Sequence, residues 1–268
     1  MPLISDDLLK FSVLAGGYTT YGAGATVSGS VGAVSYITAG AGGTSASQVI
    51  ATPTVTNALA ELADAQSALN QMHADTVLGA TMGGNVTLLP GVYSASALTM
   101  AANSMITFDG GGKVNPVWIF NIPTYLVTGA STKIQIVNAG ADASIFWNAG
   151  GYVALGGNTT FMGTMLAAAY ISQGAGTSVS CGNAFAASYI SIPANASFNS
   201  TNCASTATWA GSVNGLALGM DIVNGVAVYA PLAVSVPSIM AAVPEPETYG
   251  LLLAGLALVA FLRRRKAQ

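Results

Sequence analysis

Charged side chains are scarce in this chain of 268 residues, of which they make up 6%, against about 25% in ordinary soluble proteins. His73 is the single histidine, and the sequence from Ala143 to Met220 contains no Asp, Glu, Lys, Arg or His. Before the C-terminal tail, the basic residues are only Lys10, Lys113 and Lys133. This excludes the clustered basic surface that nucleic acids require. The surface of the central region must therefore consist of hydroxyl, amide and methyl groups.

Groups that support catalysis or metal binding are equally scarce. The acidic residues of the chain body are scattered, without the paired carboxylates of sugar-cleaving enzymes. His73 falls at the end of a predicted helix, where a solvated side chain is expected. The run Gly110–Gly112 lacks the Lys-Ser/Thr of a phosphate-binding loop and is interpreted as a turn. These residues therefore provide no convincing catalytic site, and no metal site is expected.

Cysteine is limited to Cys181 and Cys203, and neither belongs to a CxxC pair. A zinc site of the usual spacing is thereby excluded. In an exported protein the two residues are expected to form one disulfide. The alternative is two buried thiols, and the sequence leaves both open.

The C-terminal residues 243–268 fall into three parts. A Pro-Glu-Pro motif is followed by the uncharged apolar segment 249–262, which is shorter than the roughly 20 residues that span a bilayer. A basic cluster, which favours the cytoplasmic side, ends the chain. This order resembles the PEP-CTERM sorting signal of Gram-negative bacteria, carried by Pro244, Glu245, Pro246, Arg263, Arg264 and Arg265. The resemblance implies export across the inner membrane, transient membrane insertion through 249–262, recognition by an exosortase and removal of the tail; a plain membrane anchor is the alternative.

The N-terminus lacks the basic segment and apolar run of a secretory signal. Because an exported protein needs one, we expect a signal peptide to be missing from this sequence and residues 1–7 to be a remnant. At the other end, residues 204–242 are interpreted as one or two closing strands followed by a proline-containing linker.

A degenerate repeat occupies the middle of the chain. Five nine-residue windows begin and end with a large apolar residue and carry small residues between them. Their fourth place is Ala, Gly or Pro, and their sixth is Asn, Ser or Gly; they are 98–106, 126–134, 153–161, 171–179 and 190–198. The pattern predicts inward apolar residues on both sides of a tight corner. The spacing of the windows, about 18 to 28 residues, is typical of the coils of a β-solenoid.

One segment has helical rather than β periodicity. From 53 to 73, Val55, Leu59, Leu62, Leu69 and Met72 form one apolar stripe. Thr52 is a suitable N-cap, and it is followed by a proline at the first helical position. We expect this helix to bury its stripe along one flank of the solenoid.

Several further stretches resemble the microbial ice-binding proteins, in family order over roughly residues 8–203. They are FSVLAGG (11–17), TVSGSVG (26–32), LLPGVYS (88–94), VWIFNI (117–122), IFWNAGG (145–151) and FMGTMLA (161–167). The resemblance implies a mainly β fold, a right-handed discontinuous β-solenoid of triangular section with one long α-helix packed alongside. It also implies binding to ice through one flat face, inhibition of ice growth or recrystallisation, no catalysis and no cofactor. Some members carry Thr-Ala/Gly-x-Thr/Asn at the corners, which residues 128–131 only approximate.

An uncharged flat face suits ice because short side chains lose little entropy on docking and hold no competing hydration shell. Alternation along the strands places the second and eighth residues of each window outward. The small uncharged members of these two rows are the candidate ice-binding residues: Ala154, Ser172 and Ser191 in the second place, and Thr160, Ser178 and Ser197 in the eighth. We expect the two rows to lie on different faces, so that one of them binds ice.

A second interpretation is an exported surface or biofilm-matrix adhesive protein without antifreeze activity. The sorting signal is compatible with it, and an ice adhesin would combine both roles. Stacking on a carbohydrate is disfavoured, since outward aromatic residues within the windows are few.

Overall fold

Short parallel strands build three sheets around one apolar core in the computed structural model of the protein, which describes residues 3–113, 116–139, 143–200 and 220–229. Cys203, the sorting motif (Pro244, Glu245, Pro246 and Arg263 to Arg265) and the apolar segment 249–262 lie outside the described residues. The predictions that rest on them are therefore not tested by the fold.

The three sheets have nine, eight and seven strands. The nine-stranded sheet contains β1 (Val13–Ala15), β4 (Ser30–Ala33), β6 (Ser47–Ile50), β7 (Thr76–Val77), β10 (Gly91–Ser94), β13 (Val117–Ile122), β16 (Ser144–Ala149), β19 (Thr164–Ala167) and β22 (Ala184–Ala186). The eight-stranded sheet contains β2 (Tyr18–Tyr21), β5 (Tyr36–Ala39), β8 (Thr81–Met82), β11 (Leu98–Met100), β14 (Leu126–Thr128), β17 (Val153–Leu155), β20 (Ile171–Gln173) and β23 (Ile190–Ile192). The seven-stranded sheet contains β3 (Thr26–Val27), β9 (Asn85–Leu88), β12 (Met105–Asp109), β15 (Lys133–Val137), β18 (Thr160–Met162), β21 (Ser178–Ser180) and β24 (Ser197–Asn199).

The coils do not stack in chain order. Seven coils contribute one strand to each sheet, whereas β4 and β5 lack a third strand and β6 stands alone before the helix. The last coil, β22 to β24, pairs with the first, β1 to β3. The chain then leaves the stack after β6, forms a helix and re-enters at the opposite end with β7. The predicted discontinuous β-solenoid is confirmed.

The repeat windows occupy the corner between the eight- and seven-stranded sheets. Their first and ninth residues are buried, as predicted, and supply core side chains such as Val153 and Phe161. The first three places form a strand, so the corner itself is confined to places four to seven. The sixth place has a positive φ in every window, at Asn103, Ser131, Asn158, Gly176 and Asn195. Asn and Gly tolerate this conformation better than other residues, which accounts for their recurrence there.

The helix α1 (Pro53–Asn70) packs against the outer side of the nine-stranded sheet. Thr52 caps its N-terminus, with Oγ1 accepting a hydrogen bond from the Val55 amide at 3.4 Å. The buried stripe consists of Val55, Ala58, Leu62, Ala65, Ala68 and Leu69, while Leu59 and Met72 are partly buried against the same cluster. The helix ends at Asn70 and not at His73, which is exposed.

A polar seam orients the C-terminal half of the helix. Asn148, buried on β16, donates from Nδ2 to Asn70 Oδ1 at 2.9 Å and to Asn121 Oδ1 at 3.0 Å. Asn121 in turn donates to the Leu69 carbonyl at 2.7 Å. These bonds satisfy buried polar groups that would otherwise oppose packing.

Two boundaries of the domain differ from the sequence-based expectation. Leu3 and Ile4 are buried against the helix-side cluster, so packing begins before residue 8. Near the other end, β25 (Met220–Val223) and β26 (Val226–Tyr229) pair antiparallel with each other and join none of the three sheets. These strands do not close the solenoid; Gln71 Nε2 donates to the Gly225 carbonyl at 2.8 Å.

Candidate functional site

The second window places form one continuous row on the eight-stranded sheet. Ala154, Ser172 and Ser191 are in register on neighbouring strands and partly exposed. The row extends in both directions to all eight strands and reads, in stack order, Thr38, Thr20, Ser191, Ser172, Ala154, Val127, Thr99 and Thr81. We call it the Thr/Ser row. No Asp, Glu, Lys or Arg occurs in the strands of this sheet, all of which are described.

The eighth window places form a second row, on the seven-stranded sheet. Thr160, Ser178 and Ser197 are in register, and Ser197 donates a hydrogen bond to Ser178 Oγ at 3.0 Å. This row continues to Thr26 on one side, but Lys133, Met105 and Asn85 follow Thr160 on the other. The two rows therefore lie on different sheets, as expected, and only the Thr/Ser row is uncharged throughout.

A shallow groove of about 450 Å³ lies where the second row changes character. Asn85, Met105 and Lys133 line it together with corner residues of three coils. The long flexible side chains of Met105 and Lys133 are exposed there. Asp109 also belongs to this sheet, and its Oδ1 accepts hydrogen bonds from the Gly111 amide and from Asn138. The surface of the seven-stranded sheet is thus neither uniform nor free of charge.

Hydroxyl groups at the corner between these sheets point inward. Thr132 Oγ1 donates to the Gly129 carbonyl at 2.8 Å, and Thr177 Oγ1 donates to the Gly156 carbonyl at 3.1 Å. Thr128, the first residue of the approximate Thr-Gly-x-Ser motif, is also buried, and its Oγ1 accepts from the Gly156 amide at 2.9 Å. These threonines stabilise the corner and are not available at the surface.

Glycine at the fourth place lets successive corners approach closely. A Cβ added to Gly156 would lie 2.6 Å from the carbonyl carbon of Gly129 in the next coil. Such a contact is far shorter than van der Waals separation. The missing Cβ thus permits the close approach of the corners at Gly129, Gly156 and Gly174, whereas the other two windows carry Ala101 and Pro193 at this place.

A ladder of six tyrosines lies at the edge of the eight-stranded sheet. Each residue stands immediately before the first window place or its equivalent, and successive rings stack with centroids 4.8–5.4 Å apart. In stack order the ladder consists of Tyr36, Tyr18, Tyr189, Tyr170, Tyr152 and Tyr125. Burial and the neighbouring phenols of Tyr170 and Tyr18 raise the pKa of Tyr189 above its ordinary value.

Sequence reasoning missed the ladder and part of the Thr/Ser row for identifiable reasons. The tyrosines lie one residue before the nine-residue windows, so the outward aromatic residues within the windows do not include them. The first two coils have the corners 19–27 and 37–45, which fit the window spacing. The first of these corners begins with the polar Thr19, and the second ends with the polar Ser45. Neither therefore has a large apolar residue at both ends, as the five windows do.

Among the described residues, no group of three or more His, Cys, Asp or Glu is placed to hold a metal ion. Cys181 is buried, and since Cys203 is not described, their pairing stays a prediction. Within the part of the chain that the structure describes, no helix is long and apolar enough to cross a membrane.

Residues 17–197 match the family model described as ice-binding-like. The chain belongs to this family. Residues 242–266 match the PEP-CTERM protein-sorting motif, which confirms the second resemblance and indicates export.

Two curated relatives illustrate the likeness. The ice-binding protein of Nostoc sp. (strain HG1) is 35% identical over 103 residues, which cover 38% of each chain. The ice-binding protein of Colwellia sp. is 34% identical over 104 residues, covering 39% of this chain and 40% of the relative. The matched part of the chain thus spans well under half the length of the curated relatives.

Solved structures match over a longer stretch. The ice-binding protein of the ascomycete Antarctomyces psychrotrophicus superposes with a TM-score of 0.64 at 28% identity, covering 72% of this chain and 95% of that one. A domain of ice-binding protein 1 from Shewanella frigidimarina superposes with a TM-score of 0.61 at 24% identity, covering 74% and 97%. These matches confirm the solenoid fold.

Proposed function

We propose that this protein binds ice crystals through the Thr/Ser row of the eight-stranded sheet and inhibits ice growth or recrystallisation. The observation that carries the proposal is the row itself, in which eight short uncharged side chains repeat in register on consecutive coils. The family to which the chain belongs supports ice as the ligand. The role is that of a binding protein and not of an enzyme.

The repeat distance of the row suits an ordered water layer. Parallel strands lie about 4.8 Å apart, so equivalent hydroxyls and methyls recur at that interval along the sheet. Because the side chains belong to Thr, Ser, Ala and Val, few rotamers are frozen when ice docks. The free energy of binding then comes from preorganisation of the surface.

The seven-stranded sheet is the weaker candidate face. Its uniform stretch of small residues, Thr160, Ser178, Ser197, Thr26 and Thr44, is shorter, and Lys133 interrupts the row directly beyond Thr160. An ammonium group holds water in its own hydration geometry and opposes an ice-like layer. We therefore assign ice binding to Ala154, Ser172, Ser191 and their continuations.

Matched bulky substitutions on the two sheets test the assignment. We expect Ser172→Tyr to reduce thermal hysteresis at least about tenfold, because one protruding ring separates the row from the ice plane and removes preorganised contacts. Ser178→Tyr on the other sheet and Ser67→Tyr on the exposed helix surface should retain wild-type activity. Thermal unfolding by circular dichroism verifies that all three variants fold. Loss of activity in Ser178→Tyr alone would move the site to the seven-stranded sheet.

The sorting motif supports a location outside the cytoplasm. We propose that residues 243–268 direct export in a Gram-negative bacterium, that 249–262 insert transiently into the inner membrane, and that an exosortase removes the tail. Mass spectrometry of the mature extracellular protein tests this, and an intact Arg263 to Arg265 cluster on it would contradict processing. If the wild-type domain shows neither thermal hysteresis nor recrystallisation inhibition, the adhesive surface protein becomes the preferred function.

A further inference from the structure

The tyrosine ladder and the Thr/Ser row share one outer surface. On β2, Tyr18 and Thr20 are partly exposed and alternate with the buried Thr19 and Tyr21. Residues two apart on a strand point to the same side and lie about 6.6 Å apart along it. The ladder therefore runs parallel to the row as a second line of side chains.

The hydroxyls of the ladder are directed to solvent. None of the six phenol oxygens has a hydrogen-bond partner among the residues that the structure describes. The buried tyrosines outside the ladder differ: Tyr93 donates to the Leu89 carbonyl at 2.5 Å, and Tyr21 bonds with Ser45 at 3.2 Å and accepts from Gln48. The ladder hydroxyls consequently remain available to water.

Stacking fixes the positions of these hydroxyls. The four inner rings have a neighbour on each side, and four of the five ring pairs are within 5° of parallel. A tyrosine side chain has only two rotatable bonds before its ring is placed, and the adjacent rings restrict both. The phenol oxygens thus repeat with the coils, as the Thr and Ser hydroxyls do.

The same stacking argues against a sugar ligand along the ladder. A saccharide stacks on the open face of an aromatic ring, but each inner ring face is covered by the next tyrosine. Open faces remain only at the ends, where Tyr36 lies on the terminal strand β5 and Tyr125 is followed by Ala97 in the next coil. Ring edges and hydroxyls are what the ladder offers to a ligand.

We propose that the tyrosine ladder is a second ice-contacting row, so that the ice-binding surface consists of two parallel lines of hydroxyls. The inference rests on the proposed function of the eight-stranded sheet and extends it. The ladder borders the Thr/Ser row with its own regularly spaced hydroxyls, because its stacked rings repeat with the coils.

Removing hydroxyls while keeping the rings tests the proposal. We expect the triple variant Tyr152→Phe, Tyr170→Phe and Tyr189→Phe to lose at least about threefold in thermal hysteresis, since three water-ordering hydroxyls disappear. Its unfolding temperature should stay near that of wild type because the stack is preserved. The matched control, Thr54→Ala, Thr56→Ala and Ser67→Ala, removes three hydroxyls from the helix and should leave activity unchanged.

Extending the ladder gives the complementary experiment. Ala97 occupies the position below Tyr125, so Ala97→Tyr adds a seventh ring and hydroxyl, whereas Ala97→Phe adds only the ring. We expect Ala97→Tyr to raise thermal hysteresis and Ala97→Phe to leave it at the wild-type level. This pair of variants tests the role of the phenol hydroxyl even if the triple variant is destabilised.

Three outcomes distinguish a failure of the tyrosine-ladder proposal from a failure of the proposed ice binding. If the triple Phe variant keeps wild-type activity while Ser172→Tyr loses it, the tyrosine ladder does not contact ice, but the eight-stranded sheet still binds it. Equal effects of Ala97→Tyr and Ala97→Phe likewise contradict a role for the hydroxyl. A wild-type protein that fails to enter growing ice in an ice-affinity assay refutes the proposed function itself.

Discussion

At the scale of single residues, the corners depend on backbone conformation more than on side-chain chemistry. Asn158 has a φ of 56°, and its backbone N–H donates to the Ala175 carbonyl of the next coil at 2.8 Å. The left-handed region is accessible to Asn and Gly but strained for residues with a bulky Cβ. The recurrence of Asn, Ser and Gly at the sixth place therefore reflects stacking geometry and is not itself a sign of ligand binding.

The backbone requirement at Asn158 is directly testable. We expect Asn158→Val to lower the free energy of unfolding by about 1–2 kcal/mol, because valine must adopt a strained conformation. Asn158→Gly, which meets no such strain, should change it by less than about 0.5 kcal/mol. Urea denaturation measures both values. Equal destabilisation by Val and Gly would show that the amide side chain is responsible instead.

At the scale of elements, the helix determines which faces of the solenoid remain open. It covers the nine-stranded sheet, burying Leu14, Phe146, Leu166 and Phe185 on the outer side of that sheet. Without the helix, these side chains would form an exposed apolar face. The eight- and seven-stranded sheets are left for contact with a ligand. The helix thus acts on function indirectly, by removing one of three possible faces.

A substitution that creates a cavity between the helix and the nine-stranded sheet should lower stability without affecting ice binding. Leu62 is 1% exposed, and we expect Leu62→Ala to cost about 2–5 kcal/mol of unfolding free energy through lost burial and the cavity left behind. The exposed Asp64→Ala on the same helix should cost less than about 0.5 kcal/mol. Both variants should retain thermal hysteresis near 0 °C, where the fold persists. Loss of activity in a folded Leu62→Ala protein would show instead that the ligand-binding face depends on the packing of the helix.

At the scale of the whole molecule, the order of the coils joins distant parts of the chain into one surface. The first coil lies against the last, so Thr20 continues the row of Ser191, and Tyr18 stacks on Tyr189 with ring centroids 5.1 Å apart. In the buried interior, Asn183 Nδ2 donates to the Phe11 carbonyl at 2.6 Å. The N-terminal coils therefore complete both the core and the candidate site.

This arrangement predicts that the N-terminal segment is required for folding. A chain that begins at residue 53 leaves β22 to β24 without the partner strands β1 to β3, so its sheet edges and apolar core are exposed. We expect it to aggregate when expressed alone and to become soluble when residues 1–52 are co-expressed. A chain of residues 1–232 should fold by itself. Far-UV circular dichroism and co-purification monitor the result; a cooperative melt of the isolated 53–268 chain would contradict the prediction.

Local and periodic features of this protein were determined by the sequence alone. The apolar ends of the five windows identified the buried side chains, and Thr52 with Pro53 identified the start of the helix. The uncharged segment and the tripartite tail likewise depend only on neighbours along the chain. Such features can be predicted because solenoid corners and helix caps depend on residues that are close together in the sequence.

The tertiary structure decided which of these features meet. That Ser191 adjoins Thr20, and that six separate tyrosines form one stack, follows from pairing between residues 171 positions apart, as the register Thr20–Ser191 records. No local pattern carries this information, because contacts between distant segments arise only when the whole core closes. The Thr/Ser row likewise reaches all eight strands only because the first coils stack on the last one.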